Sequence, residues 1–547
     1  MNVASEQSKS VWMDKPFPDV PNLGGDLDAD IIVVGAGIGG LSAAYELSSQ
    51  GKAVVVLDAG PPGGGMTSRT SGHLSYEFDD YYAELARLHG GDNAKAYFES
   101  QSAAVDRVEQ IAWLEGIECS FARVSGYLFA KDASDDGEIE KEWHAARDAG
   151  FADSALLATV PGLKTGKAIH FPRQARFHVM KYVVGLVDAL RGRGVRIFGG
   201  TRVLSVREDD DGIAAETENG HTIRALHAVI ATNSPINDVL AMHTKQAPYR
   251  TYVFASSVPK GLVPDALIWD SDDPYHYVRI EPRLEDDLVI VGGEDHKSGL
   301  ENDGTNRIAK LHAWAARLLG TTLAEPVFAW SGQVYEPVDH VSFAGRNPGS
   351  KNTFVITGDS GEGLTSGVAG AMLIADLIAG RQNRIVEELY DPARTSLHTL
   401  GTFVRENATA PAELAQHLTG GEIAGFDQLK PGDGALVRHG LAKVAAYRDE
   451  AGTLHLVSST CTHLGCVVHF NAFERCWDCP CHGSQFGIDG EVLAGPARRP
   501  LKKIETGDGI ARCYGSSAGI CFLSPFPSNR PTSPWRRTRN RAQPPIA

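Results

Sequence analysis

The sequence has no long apolar run. No stretch approaches the roughly 18 uninterrupted apolar residues that mark a bilayer-spanning helix, so no membrane span is expected. The opening residues, MNVASEQSKSVWMDKPFPDVP, lack the apolar segment of a secretory signal. On that ground the expected location is the cytoplasm. Positive charge is also in short supply: 52 Lys and Arg stand against 68 Asp and Glu, a formal net charge of −16. This balance argues against nucleic acid or an anionic membrane surface as a partner. No internal repeat is visible. Length and apolar content are plentiful: 547 residues, 42% of them hydrophobic, suffice for two or three domains with their own cores.

Five of the eight cysteines crowd into residues 461–481. They fall in two short boxes, CTHLGC (461–466) and CPCHGS (479–484). Each box offers one Cys and one His, as Cys-x-His and Cys-x2-His: Cys461 with His463, and Cys479 with His482. Mixed thiolate and imidazole ligation suits a [2Fe–2S] centre in which two His replace two Cys on one iron. A zinc finger would pair Cys with Cys and His with His, an order this segment does not have. Both boxes and a downstream GPARRP loop (495–500) resemble the Rieske family over about the last fifth of the chain. That resemblance implies a disulfide between Cys466 and Cys481. Cys476 forms a further C-x2-C with Cys479, which leaves a different pairing open, and Cys119, Cys513 and Cys521 have no evident partner. A Rieske oxygenase would need a mononuclear iron held by two His and a carboxylate in a large following domain. No His follows His482, so that class is rejected.

The other end of the chain reads as a dinucleotide site. In DIIVVGAGIGGLSAAYELSSQGKAVVVLDAG (30–60), an apolar run leads into Gly35-x-Gly37-x-x-Gly40. A helical stretch and a second apolar strand follow, ending in Asp58. Strand, glycine turn, helix and acidic residue are together the dinucleotide fingerprint. Gly35 permits the turn, Gly37 lets the backbone approach a pyrophosphate, Gly40 allows close helix packing, and Asp58 would bind the adenosine ribose. The helix N-terminus would face the phosphates.

NAD and FAD share this fingerprint, and a second region separates them. TFVITGDSGEGLTSGVAGAMLIADLIAG (353–380) resembles the C-terminal flavin motif of the glycine oxidase, sarcosine oxidase and D-amino-acid oxidase superfamily. The resemblance covers about residues 28–390 and implies FAD. It places Asp359, Gly361, Gly363 and Leu364 against the flavin, and Thr67, Ser68 and Arg69 near the pyrophosphate and ring. It also places Val203 against the adenine. His73 lies where some related dehydrogenases attach FAD covalently; a loop His without a bond is the preferred reading. The superfamily often fixes a substrate carboxylate with an Arg in W-x-G-x-R-P. Here the segment is WSGQVYEPVD and Val334 holds the Arg position, which weakens an amino-acid assignment. Arg279, Gln333 and Tyr335 are the pocket candidates.

The expected organisation is α/β, a Rossmann-like FAD domain with an α+β substrate domain and a small all-β Rieske domain. An arm (1–27) precedes a discontinuous FAD domain (28–80, 165–240 and 336–390). The substrate domain takes 81–164 and 241–335, a helical connector 391–420, the Rieske domain 421–510 and a disordered tail 511–547. These parts imply an oxidoreductase in which an amine-like small molecule reduces FAD and the cluster relays electrons to an external one-electron acceptor protein. A reductase running from a donor protein through the cluster to FAD uses the same parts, and a non-enzymatic redox sensor is the rival class.

Overall fold

The computed structural model describes residues 3, 6–210, 212–236, 240–395, 399–440 and 442–504. The expected tail 511–547, with Cys513 and Cys521, lies outside the described residues.

Two runs of four consecutive buried apolar residues, Ile31–Val34 and Val54–Leu57, build the centre of a six-stranded sheet. Such runs are buried on both faces only in a parallel sheet covered by helices. His227–Ile230 and Thr353–Thr357 extend the sheet in parallel on one side and Arg196–Phe198 on the other. Phe343–Arg346 closes one edge antiparallel. The helices Ile38–Ser49 and Gly363–Ile378 cross at Gly39 and Gly367, where a Cβ on either would come within 3.5 Å of the other's Cα. A four-stranded sheet containing Val203–Asp209 flanks this layer.

A second, largely antiparallel sheet runs from Phe328–Pro337 through Gln246–Val258, Asp287–Lys297 and His276–Pro282 to Ala266–Asp270 and Ala122–Phe129. The strand Ala168–Arg176, expected in the flavin half, belongs here instead, paired with Ala122–Phe129. His73–Leu74 pairs with its end. The flavin half therefore resumes at the helix Val179–Gly192.

The C-terminal domain is two small antiparallel sheets. Gly434–His439, Ala442–Arg448 and Leu454–Ser458 form one; His469–Asn471, Cys476–Asp478, Gln485–Gly487 and Val492–Ala494 form the other. Trp477 and Phe486, both fully buried, face each other across the second. The connector is helical, Leu400–Asn407 and Thr409–Ala415. The N-terminal arm reaches further than expected. Trp12 is fully buried and donates to the Thr70 carbonyl at 2.6 Å, while Glu6 and Ser8 insert between the flavin half and the C-terminal domain. No helix among the described residues is long and apolar enough to cross a membrane.

Candidate functional site

The strand Ile31–Val34 ends at Gly35, which has φ 106°; a Cβ there would stand 2.2 Å from the Ala231 carbonyl oxygen. Only glycine fits that approach. A Cβ on Gly40 would meet the Gly35 oxygen at 1.9 Å, so the helix start also needs glycine. Asp58 ties the turn together: its carboxylate accepts from Ala36 N at 2.6 Å and Gly60 N at 2.8 Å. The Thr67 hydroxyl accepts from Ile38 N at 3.0 Å in the first turn of the helix.

Three cavities follow one another from this turn. The first is walled by Gly35, Asp58, Thr201 and Val203. The second shares Gly35 and Asp58 and adds Gly37, Thr67, Asp359, Gly363 and Leu364. The third shares Asp359, Gly363 and Leu364, adds Gly361, and ends among Tyr275, Tyr277 and Gln333. Two helix N-termini, at Ile38 and Gly363, open on this run. An elongated dinucleotide fits: the first helix start suits a diphosphate, and the second suits negative charge on a reduced ring. Burial pushes Asp359 up to about 6.

Several expected residues point elsewhere. Ser68 is fully buried and its hydroxyl turns back to the Gly65 carbonyl. The Arg69 chain borders the third cavity, but its guanidinium pairs with Glu6 and Glu474, each at 3.1 Å. It is directed at the C-terminal domain, not at a cofactor. Arg279 does not line the cavity. It lies one strand repeat beyond Tyr277, beneath Trp12 of the arm, where it donates to the Gly72 carbonyl at 2.7 Å and pairs with Glu281. Tyr335 also leaves the pocket: its hydroxyl sits among the carbonyls of His482, Gly483 and Gly495 at 3.3–3.4 Å. Gln333 does both jobs. It lines the third cavity, and its Nε2 donates to the Gly483 carbonyl at 2.8 Å.

In the C-terminal domain the strand Leu454–Ser458 delivers box I, and the turn between Cys476–Asp478 and Gln485–Gly487 carries box II. Cys461 and Cys479 are buried free thiols. They hydrogen-bond each other, which holds Cys461 below its ordinary value. The His463 and His482 rings meet edge-on, 5.0 Å apart. His482 Nδ1 is buried with no hydrogen-bond partner, and burial, then His463, holds this imidazole neutral with a pKa near 4. Neutral imidazole is the ligating form. Two thiols, two imidazoles and one orphaned ring nitrogen fit the donor set of a [2Fe–2S] cluster. Cys466 and Cys481 are joined by a disulfide that ties the two boxes together; Cys476 stays a free, buried thiol.

Sequence reasoning missed how the two halves meet. Arg250 and Asp478, both buried, pair at 2.9 Å. Arg202 donates to the Val492 carbonyl and Arg498 to the Leu204 carbonyl. Gly495, Ala497 and Arg498 even help wall the first cavity. His243, from the flavin half, packs its ring 4.9 Å from His463 and 6.0 Å from His482. A lone His in a short helix carries no local signal of such a role.

The profile of the family described as FAD dependent oxidoreductase matches residues 30–377, and that of the Rieske [2Fe-2S] domain matches 422–505. A putative Rieske 2Fe-2S iron-sulfur protein YhfW of Bacillus subtilis is 29% identical over 92% of this chain and 98% of its own length. The probable oxidoreductase OrdL of Haemophilus influenzae is 25% identical over 65% of this chain and 84% of its own. Among solved structures, the glycine oxidase from Geobacillus kaustophilus superposes with a TM-score of 0.57 at 18% identity, covering 67% of this chain and 99% of that one.

Proposed function

The chain belongs to the FAD dependent oxidoreductase family and ends in a Rieske [2Fe-2S] domain, and from that premise we propose a dehydrogenase that oxidises an amine-like small molecule and sends the electrons through the cluster to an external one-electron acceptor protein. When bound, FAD accepts a hydride, two electrons at once, and a [2Fe–2S] cluster passes electrons singly. Gly35, Gly37 and Thr67 would hold the diphosphate, Asp58 the adenosine ribose, Val203 the adenine, and Asp359 with Gly361, Gly363 and Leu364 the ring. Cys461, His463, Cys479 and His482 would hold the cluster.

The observation that carries the reading is Gln333. One side chain lines the cavity beside Asp359 and also donates to the Gly483 backbone in box II, next to His482. Electrons leaving the cavity therefore have a short bonded route into the cluster loop. Tyr335 packs the same loop, and His243 meets His463 and His482 in edge-on ring contacts. The box I side stays open to a partner: Leu464 is 45% exposed. The helix start at Gly363 favours negative charge developing at the ring end.

The test is an anaerobic titration of the holoprotein with a panel of amines and amino acids. Flavin absorbance should bleach first and the cluster should then become reduced. A panel member that bleaches the flavin while the cluster stays oxidised would refute the relay.

A further inference from the structure

The third cavity is walled by carboxyl groups that lack counter-charge. Glu77, Asp79, Asp295, Asp359 and Glu362 all line it. Among the described residues its basic neighbours are Arg69 and His73. Arg69 is taken by Glu6 and Glu474. His73 is held neutral, by burial first and then by Arg279. Burial, reinforced by Asp80, pushes Asp79 up to about 8, and burial takes Asp295 to about 7. Glu77 and Glu362 move in the same direction for the same first cause. A cation brought among them reverses that trend.

A second observation points to a ligand. Glu77 and Gln333 are each 1% exposed, and each has an Oε1 with no hydrogen-bond partner. Glu362 Oε1 and Asp295 Oδ1 are unpaired as well. Buried acceptors are almost always satisfied, so this wall is complete only with donors supplied by what it binds. A metal ion is not that ligand. Among the described residues, the His, Cys and carboxylate groups close enough to hold one lie elsewhere, at Cys466–Cys479–Cys481 and Asp270–Asp272–His276. Trp269, Tyr275 and Tyr277 line the same cavity as the acids, as suits an organic cation against aromatic faces. A substrate carboxylate would meet five acids and Val334, with no free guanidinium to receive it.

We infer that the substrate is a dicationic or polycationic amine without a carboxylate, such as an α,ω-diamine, its oxidised nitrogen toward Asp359 and its distal ammonium among Glu77, Asp79 and Glu362. This rests on the amine-oxidation reading above. The carbon beside nitrogen gives a hydride to bound FAD and the nitrogen gives a proton to water, forming a C=N bond. Water then adds, and the product separates into an amino aldehyde and ammonia. Two electrons leave the C–H bond and reach FAD; the atoms of water appear in the products.

Three chain-matched probes isolate the distal group: 1,4-diaminobutane, n-butylamine and 4-aminobutanoate, with glycine, sarcosine and proline as amino-acid controls. Binding to the anaerobic holoprotein is read by calorimetry and oxidation by flavin bleaching. The diamine should bind at least tenfold tighter than butylamine, and 4-aminobutanoate should bind weakest. Glu77→Gln and, separately, Asp79→Asn should each cut the diamine's advantage over butylamine at least tenfold while FAD content holds. Equal affinity for diamine and butylamine, or an advantage that survives both substitutions, overturns the inference. Bleaching by an amino acid and not by the diamine also overturns it and leaves amine oxidation standing. Bleaching by no panel member overturns both.

Discussion

Arg250→Ala tests the buried contact that holds the cluster domain against the flavin half. Arg250 is fully buried, and its Nη2 donates to both oxygens of Asp478, at 2.9 and 3.1 Å. Its Nη1 donates to Ser331 Oγ at 2.7 Å. Asp478, 1% exposed, also accepts from Asn471 at 2.8 Å, Gln485 at 3.1 Å and the Cys476 thiol at 3.5 Å, so four side chains satisfy a carboxylate immediately before Cys479. Removing the guanidinium leaves the charge buried with two amides and a thiol. Breaking a buried pair by deleting one partner costs about 3–5 kcal/mol. In urea, where m is roughly 1–3 kcal/mol/M, the midpoint should fall by on the order of 1 M or more. The visible bands of the cluster should report the loss before flavin release, because the unpaired carboxylate adjoins box II. Arg250→Met combined with Asp478→Asn should recover much of the loss, since no uncompensated charge remains. A shift below about 1 kcal/mol in the single variant, or a double variant no better than it, would refute the reasoning.

His482→Ala should abolish iron and sulfide in the purified protein while retaining FAD, by metal, sulfide and flavin analysis; zinc in place of iron in the parent protein would contradict the ligand assignment. Gln333→Ala should slow cluster reduction tenfold or more relative to flavin bleaching in stopped-flow traces. His469 bonds Glu413 of the connector at 2.9 Å; burial alone would lower its pKa, but Glu413 and Glu422 carry it to about 9. Because the folded value is raised above the ordinary 6.5, the contact is fully present below pH 6.5 and is lost as pH rises through 9, so protection of the 409–415 amides, relative to their intrinsic exchange at each pH, should fall by pH 10, and Glu413→Gln should weaken that dependence.

What could be read from the sequence was what is local in it. The boxes at 461–466 and 479–484 and the strand–glycine–helix unit at 30–58 each keep their chemistry within a few dozen residues, as do the fully apolar runs of the parallel sheet. What could not be read depends on distant partners. Arg69 and Arg279 looked available because Glu474 lies far along the chain and Trp12 belongs to a polar arm with no evident destination. The acid cavity gathers Glu77, Asp79, Asp295 and Glu362 from three segments far apart in the chain, which meet only in the folded protein. Ala168–Arg176 is a strand, but nothing in its sequence says which sheet it joins. Gly495, Ala497 and Arg498 contribute a wall to the cavity at Val203, a consequence of docking that no single motif encodes.

The central claim is that flavin and cluster form one electron path within one chain. Freeze-quench EPR after anaerobic mixing with whichever amine bleaches the flavin fastest tests it most directly, with flavin absorbance recorded in parallel. The account predicts a reduced-cluster signal that grows as the flavin is reduced, approaches one spin per chain, and is independent of protein concentration. A fully bleached flavin beside a cluster that stays oxidised, or a transfer rate that scales with protein concentration, would contradict it.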